Sequence, residues 1–304
     1  MSNLIEQAAR RLEQLRQAGI ATPEFNGHAA LAPANGSNEP SNSAPAINAV
    51  KGVPVSSRRV ELDLAALAQR GILTPGAARS QTADQFRVIK RPLIANVMGK
   101  GASRPPRANL IMITSAVAGE GKTFTSVNLA MSLATELDHS VMLVDADVAR
   151  PSIPQVLGLA PGPGLLDLLE ESTDMSQVLL RTNIEKLTVL QSGTPHSRAT
   201  ELLASDAMRR LLDEMGNRYP DRVIIFDSPP LLLTTESRAL AAHMGQIVVV
   251  VQAGQTLQAH VQSALATIEF CPVKLLVLNQ VRSLAEGAYG YGYGYGYGSE
   301  KLAS

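Results

Sequence analysis

NLIMITSAVAGEGKTFTSVNLAMSLATEL, residues 109–137, decides the architecture. It opens on an apolar run without strict alternation, as expected of a strand covered on both faces. It closes on a helical pattern, FTSVNLAMSLATEL. Between them stands Ala116-Val-Ala-Gly119-Glu120-Gly121-Lys122-Thr123, the phosphate-loop pattern with alanine at its first glycine position, in the strand–loop–helix context the motif requires. Backbone N–H groups of such a loop converge on phosphate oxygens, and the helix N-terminus adds partial positive charge. Lys122 is placed to reach the outer phosphates and the Thr123 hydroxyl to ligate Mg²⁺. The expected ligand is a nucleoside triphosphate with Mg²⁺, contacted along Ala118, Gly119, Glu120, Gly121, Lys122, Thr123 and Phe124.

Five further apolar runs follow the first: VMLVD (141–145), KLTVLQ (186–191), RVIIFD (222–227), QIVVVV (246–251) and KLLVLN (274–279), with helical patterns between them. Together they predict an α/β fold, a mostly parallel sheet flanked by helices in three layers. Asp145 and Asp147 stand at the end of the second run and Asp227 at the end of the fourth. In a parallel sheet these carboxylates emerge at the edge that carries the phosphate loop, where ligands bind. Asp227, followed by Ser228-Pro229-Pro230, fits a Walker-B acid holding the metal through water. Mg²⁺ keeps several waters, so one hydroxyl with nearby carboxylates suits it. Asn279, ending the last run, can read an adenine edge through its amide or serve as a turn former.

The rest of the chain bounds the reading. Of 304 residues 45% are hydrophobic, enough for one large α/β domain with appendages. Lys plus Arg and Asp plus Glu number 27 each, so net charge announces neither nucleic acid nor membrane, and no nucleic-acid partner is expected. Cys271 is the only cysteine, which excludes an internal disulfide or a cysteine-based zinc cluster and points to the reducing cytoplasm. Neither a membrane-spanning run nor a signal-peptide core is legible. The five histidines lack metal-ligand spacing. Residues 1–20 read as an amphipathic helix and 21–57, rich in Pro, Asn, Ser and Ala, as a flexible linker. The domain proper is expected over 58–286, opening with helical patterns in VELDLAALAQRG and ADQFRVIKRPLIANV. Residues 79–107 carry seven basic side chains against Asp84, a local +6 that serves equally as a solvated face or an electrostatic docking surface. Five of the six tyrosines, Tyr289, Tyr291, Tyr293, Tyr295 and Tyr297, alternate with glycine in a tail spanning 287–304. Alternating glycine predicts an extended, mobile segment able to enter an active site. By itself such a segment reads equally as a low-complexity tail without catalytic relevance; as an acceptor, five phosphates would add on the order of −8 to −10 charge units to it.

The order of SAVAGEGKT, VMLVDADVARP and VIIFDSPP, with LQSGTPHSRATELLAS between the last two and the tyrosine-rich end, resembles the bacterial tyrosine kinases over roughly residues 80–298. The Tyr-Gly tail is most similar to the autokinases associated with exosortase and exopolysaccharide systems. The resemblance implies an ATP-dependent protein tyrosine kinase whose acceptors are its own tail tyrosines. Lys122 and Thr123 would then handle phosphates and Mg²⁺, Asp227 support the metal, and Asp145 and Asp147 share metal coordination and activation of the attacking phenol. Arg150 would help neutralise the transferring group, although the family pattern puts arginine at 149, where Ala149 stands. The family's Glu-x-x-Arg-x-x-Arg self-association motif corresponds to Asp84, Arg87 and Lys90, implying a homo-oligomer that offers one tail to the next copy's site. Further partners implied are a separate membrane activator of polysaccharide export, placing the protein at the inner membrane through that contact, and a cognate tyrosine phosphatase. A positioning ATPase of the MinD/ParA type is the nearest alternative, opposed by the lack of a lysine between 116 and 121 and by the tail. A non-catalytic ATP-gated adaptor is the other.

Overall fold

Alternate residues of the central strands are buried on opposite faces, so the sheet has a core on each side. Leu110, Met112, Met142, Val144, Ile224, Phe226, Ile247 and Val249 pack on one face. Their neighbours Ile111, Ile113, Val141, Leu143, Val223, Ile225, Val248 and Val250 pack on the other. This is why the runs carry no polar alternation: neither face meets water. The computed structural model describes residues 57–76, 79–100, 104–218 and 221–281. The expected N-terminal helix, nearly all of the linker and the tyrosine-rich tail lie outside the described residues.

The strands are β1 (Arg59–Val60), β2 (Leu110–Ser115), β3 (Ser140–Asp145), β4 (Leu180–Thr182), β5 (Leu187–Leu190), β6 (Arg222–Asp227), β7 (Gln246–Gln252) and β8 (Val273–Asn279). Their order across the sheet is β1-β4-β5-β3-β6-β2-β7-β8. All pairs are parallel except β4 with β5. The six long apolar runs are all strands, as expected. Two short strands, β1 and β4, extend the sheet beyond them. Val60, read as the start of a helical pattern, instead pairs in β1.

Helix α1 (Leu64–Gln69) starts only at the Asp63 cap, whose carboxylate accepts from Ala66 N–H at 2.9 Å. Helix α2 (Gln81–Val97) is capped by Ser80 and buries Phe86, Lys90, Leu93 and Val97. Helix α3 (Lys122–Ala134) follows the phosphate loop, and every residue from Thr125 to Ala134 is buried. With the short α4 (Ile153–Leu157) these cover one face of the sheet. The other face carries α5 (Leu165–Leu169), α6 (Met175–Val178), α7 (Ala199–Leu203), α8 (Asp206–Arg218), α9 (Thr235–Ala241) and α10 (Gln258–Ala266). Among the described residues no helix is long and apolar enough to cross a membrane.

The basic stretch is less open than its composition suggests. Lys90 is only 5% exposed; its ammonium donates to Ser132 O at 2.6 Å and pairs with Glu136 at 2.6 Å. Arg107 pairs with Asp213 and donates to His243 O at 3.3 Å. Arg87 and Asp84, one turn apart on α2, pair with each other at the surface.

Candidate active site

Parallel register sets the site. Asp145 and Asp227 are direct partners at the ends of β3 and β6, and Ile113 of β2 pairs with Asp227 before β2 runs two residues further, to Ser115, and enters the phosphate loop. Ala146 N–H donates to Asp227 O at 2.8 Å and Ser228 N–H to Ile113 O at 3.1 Å, carrying the ladder to the last residue.

The loop then turns through two left-handed glycines, Gly119 (φ 87°) and Gly121 (φ 91°), and Gly121 caps α3. A Cβ at Gly121 would lie 2.1 Å from Asn279 Nδ2, so a larger residue would push the Asn279 amide aside, and the left-handed backbone is what requires glycine there. Thr125 and Ser126 turn their hydroxyls back onto Gly121 O and Lys122 O at 2.9 and 3.0 Å, fixing the first turn.

Thr123 stands at the centre. Its hydroxyl donates to Asp227 Oδ2 at 2.7 Å and lies 3.1 Å from Ser152 Oγ. Ser126 donates to the other Asp227 oxygen at 2.9 Å. Ser152 and Ile153 N–H groups donate to Asp145 Oδ2 at 3.1 and 3.0 Å, so the start of α4 holds that carboxylate. Asp147 Oδ1 accepts from Arg150 N–H at 3.1 Å, while the Arg150 side chain is exposed. Sequence reading missed Ser126 and Ser152; the signal for Ser126 was its position one turn after Lys122, on the side of α3 that faces the sheet.

Electrostatically the pocket is incomplete. Asp145 and Asp227 are wholly buried and Asp147 is 9% exposed. Burial first, then the Asp227 charge, pushes Asp145 up to about 8. Burial raises Asp227 to about 6 against the hydrogen bonds of Thr123 and Ser126 and the Lys122 charge. Asp147 is raised by burial, opposed by the Arg150 N–H bond and by the charges of Lys122 and Arg150. Asp145 Oδ1 is buried without a hydrogen-bond partner among the described residues. An orphaned carboxylate oxygen beside a hydroxyl and two more acids fits a hard cation. Among the described residues no group of three His, Cys, Asp or Glu side chains is close enough to hold a metal unaided. A cation here therefore draws on Thr123, phosphate oxygens and water as well as carboxylate, which is the coordination Mg²⁺ favours.

Two residues expected to touch nucleotide serve the loop itself. Glu120 is fully buried; its carboxylate accepts from Val117 N–H at 2.7 Å and from the Thr256 hydroxyl. Asn279 donates to Glu120 O at 2.9 Å, and neighbouring Gln280 donates to Gly119 O at 3.1 Å while accepting from Gln252. The ends of β7 and β8 thus brace the phosphate loop from outside. Lys122 begins α3, and Phe124 packs 6.4 Å from the Phe86 ring.

A family model described as an AAA domain matches residues 108–275. Tyrosine-protein kinase YwqD of Bacillus subtilis is 31% identical over 224 residues, covering 73% of this chain and 91% of that protein. Tyrosine-protein kinase ptk of Acinetobacter johnsonii is 34% identical over 183 residues, 60% of this chain but only 25% of that longer protein. The kinase domain of the Escherichia coli tyrosine kinase ETK superposes with a TM-score of 0.55 at 26% identity, covering 75% of this chain and 97% of that domain. The matched region holds the phosphate loop and all three aspartates, and the likeness to YwqD runs nearly the whole length of that protein: the chain belongs to the bacterial tyrosine-protein kinases, a family of P-loop proteins built on the AAA domain.

Proposed function

We propose that this chain transfers the terminal phosphoryl group of ATP to protein tyrosines, foremost Tyr289, Tyr291, Tyr293, Tyr295 and Tyr297 of its own sequence. The observation that carries the reading is the Thr123–Asp227–Ser126 cluster at the N-terminus of α3, level with the orphaned oxygen of Asp145. Lys122 and the loop N–H groups bind the outer phosphates, and Asp227 orients Thr123. Mg²⁺, when bound, neutralises phosphate charge and offsets the repulsion among the three acids. Asp147, the most accessible of them, accepts the phenolic proton as the bond from phenolic oxygen to phosphorus forms and the bond to the bridging oxygen breaks, releasing ADP. Arg150 and Lys122 hold Asp147 toward its ionised, proton-accepting form. A phenol ionises near pH 10, so the acid helps, but positioning and charge neutralisation supply most of the acceleration.

The acceptor tail is supplied by a neighbouring copy, with the exposed Asp84 and Arg87 of α2 on the self-association surface. A membrane protein of polysaccharide export is the activator, and a tyrosine phosphatase resets the tail. Full-length protein incubated with Mg-ATP should gain up to five phosphates by intact mass. Lys122→Met should abolish the gain, and Tyr→Phe at all five positions should remove most of it while nucleotide binding persists. Nucleotide binding with no added phosphate, even beside a membrane partner, would make the protein a nucleotide-gated adaptor instead.

A further inference from the structure

Beside the site lies a cavity of about 280 Å³ bounded by Arg70, Ile72, Phe124, Gln155 and Val156. Two of its walls continue directly from the catalytic cluster. Phe124 is the residue after Thr123, and Gln155 and Val156 lie on α4, about one 5.4 Å turn beyond Ser152. Its lining combines an aromatic ring and aliphatic side chains with a single guanidinium. Arg70 Nη1 donates to Gln155 O and Val156 O at 3.3 and 3.2 Å, at the carbonyl end of α4. Its Nε and Nη2 have no partner among the described residues, leaving donors in the fork that matches an oxyanion.

From this placement we propose that the cavity is a subsite for a phosphotyrosine of the Tyr-Gly tail, resting on the kinase reading above for the source of that phosphate. The ring would lie against Phe124 and the aliphatic wall, with its phosphate on Arg70. Spacing supports the occupant. In an extended chain, residues two apart share one side and stand roughly 6.6 Å from each other. Gln155 and Val156 stand about one helical turn beyond Ser152, whose hydroxyl is 3.1 Å from that of Thr123, a step comparable to the tyrosine spacing, so one tail tyrosine in the site would put the next within reach of the cavity. The tail of a neighbouring copy arrives on its own tether, since Tyr289 stands eight residues beyond Val281, the last described residue. The charge favours the modified residue, since a phosphotyrosine brings close to two negative charges to a guanidinium. Each phosphate added would therefore help hold the tail for the next transfer, and the tail would fill cumulatively.

Two measurements test this. Full-length protein with all five tail tyrosines changed to Phe should bind the peptide Gly-Tyr-Gly-phosphoTyr-Gly-Tyr-Gly at least about tenfold more tightly than its unphosphorylated twin. Arg70→Gln should erase that preference, Arg70→Lys should keep part of it, and Gln155→Glu, an exposed change that sets a carboxylate beside Arg70 without touching the core, should weaken it. Equal affinity for the two peptides would overturn the subsite. In the otherwise unmodified chain, intact-mass time courses should show multiply phosphorylated molecules while most chains are still bare. Gln155→Glu should convert this to a statistical spread with the first phosphate added at an unchanged rate. A spread already statistical in the unmodified chain would also sink the proposal, whereas no phosphate at all would sink the kinase reading and leave the peptide measurement standing.

Discussion

Asp145 shows how much a single buried group can say. One of its oxygens takes two N–H bonds from the start of α4, and the other takes none among the described residues. Folding without a cation must either keep a proton on this acid or set its charge beside Asp227, and both cost free energy. Asp145→Asn keeps the acceptor for Ser152 and Ile153 and removes the charge. It should raise the melting midpoint of nucleotide-free protein at pH 7 by a few degrees, at roughly 2–4 °C per kcal/mol for a domain of this size, while abolishing phosphoryl transfer. A midpoint that falls would mean the carboxylate is satisfied by water. The sequence placed Asp145, Asp147 and Asp227 at one sheet edge because strand ends are legible from apolar runs. It did not tell that the Thr256 hydroxyl holds the Glu120 carboxylate or that Asn279 turns onto Glu120 O, because these partners lie 136 and 159 residues apart in the chain.

Elements long enough to show a period were legible; those set by pairing alone were not. β2, β3 and β6 each span six residues and read clearly as apolar runs. β1, of two residues, exists because Arg59 and Val60 find partners at Arg181 and Thr182, and β4, of three, because it pairs with both β1 and β5, which no local pattern announces. The junction of α5 with the segment after β5 is of the same kind. A Cβ at Gly164 would sit 2.0 Å from Gln191 O, so the two backbones touch only because glycine stands there. Asp167 locks the contact, accepting from Gly164 N–H at 2.7 Å and Thr194 N–H at 3.0 Å. Partial burial alone would raise this acid, but the bonds from Gly164 and Thr194 outweigh it and hold it below its ordinary 3.8. A depressed carboxylate contributes stability above its unfolded value and loses it as pH falls through the folded one. The urea midpoint should therefore drop on acidification below about pH 4, and Asp167→Asn should be less stable at pH 7 and show a shallower acid decline. Parallel curves for the two proteins would remove Asp167 from the acid response.

For the molecule as a whole, the proposed tail phosphorylation turns on which copy supplies the tyrosines. Lys90, matched by sequence to a self-association position, is spent on Ser132 and Glu136 inside the chain, leaving Asp84 and Arg87 as the exposed members of that helix. Lys122→Met protein with an intact tail, mixed with active protein whose five tail tyrosines are Phe, separates the routes. Transfer between copies should place phosphate on the inactive partner, resolved by its mass, at a rate that rises with concentration. Phosphate confined to active, tail-bearing chains when those are mixed with the inactive variant would mean each copy serves itself.

The brace formed by Asn279 and Gln280 governs where the acceptor region can be cut away. Those two residues are almost the last before the stretch that leads to the tyrosines, and they grip Glu120 and Gly119. Truncation after Val281 deletes the proposed acceptor tyrosines and spares the grip. Truncation only three residues earlier, after Leu278, takes both, and the resulting loss of nucleotide affinity would be mistaken for a requirement for tyrosine.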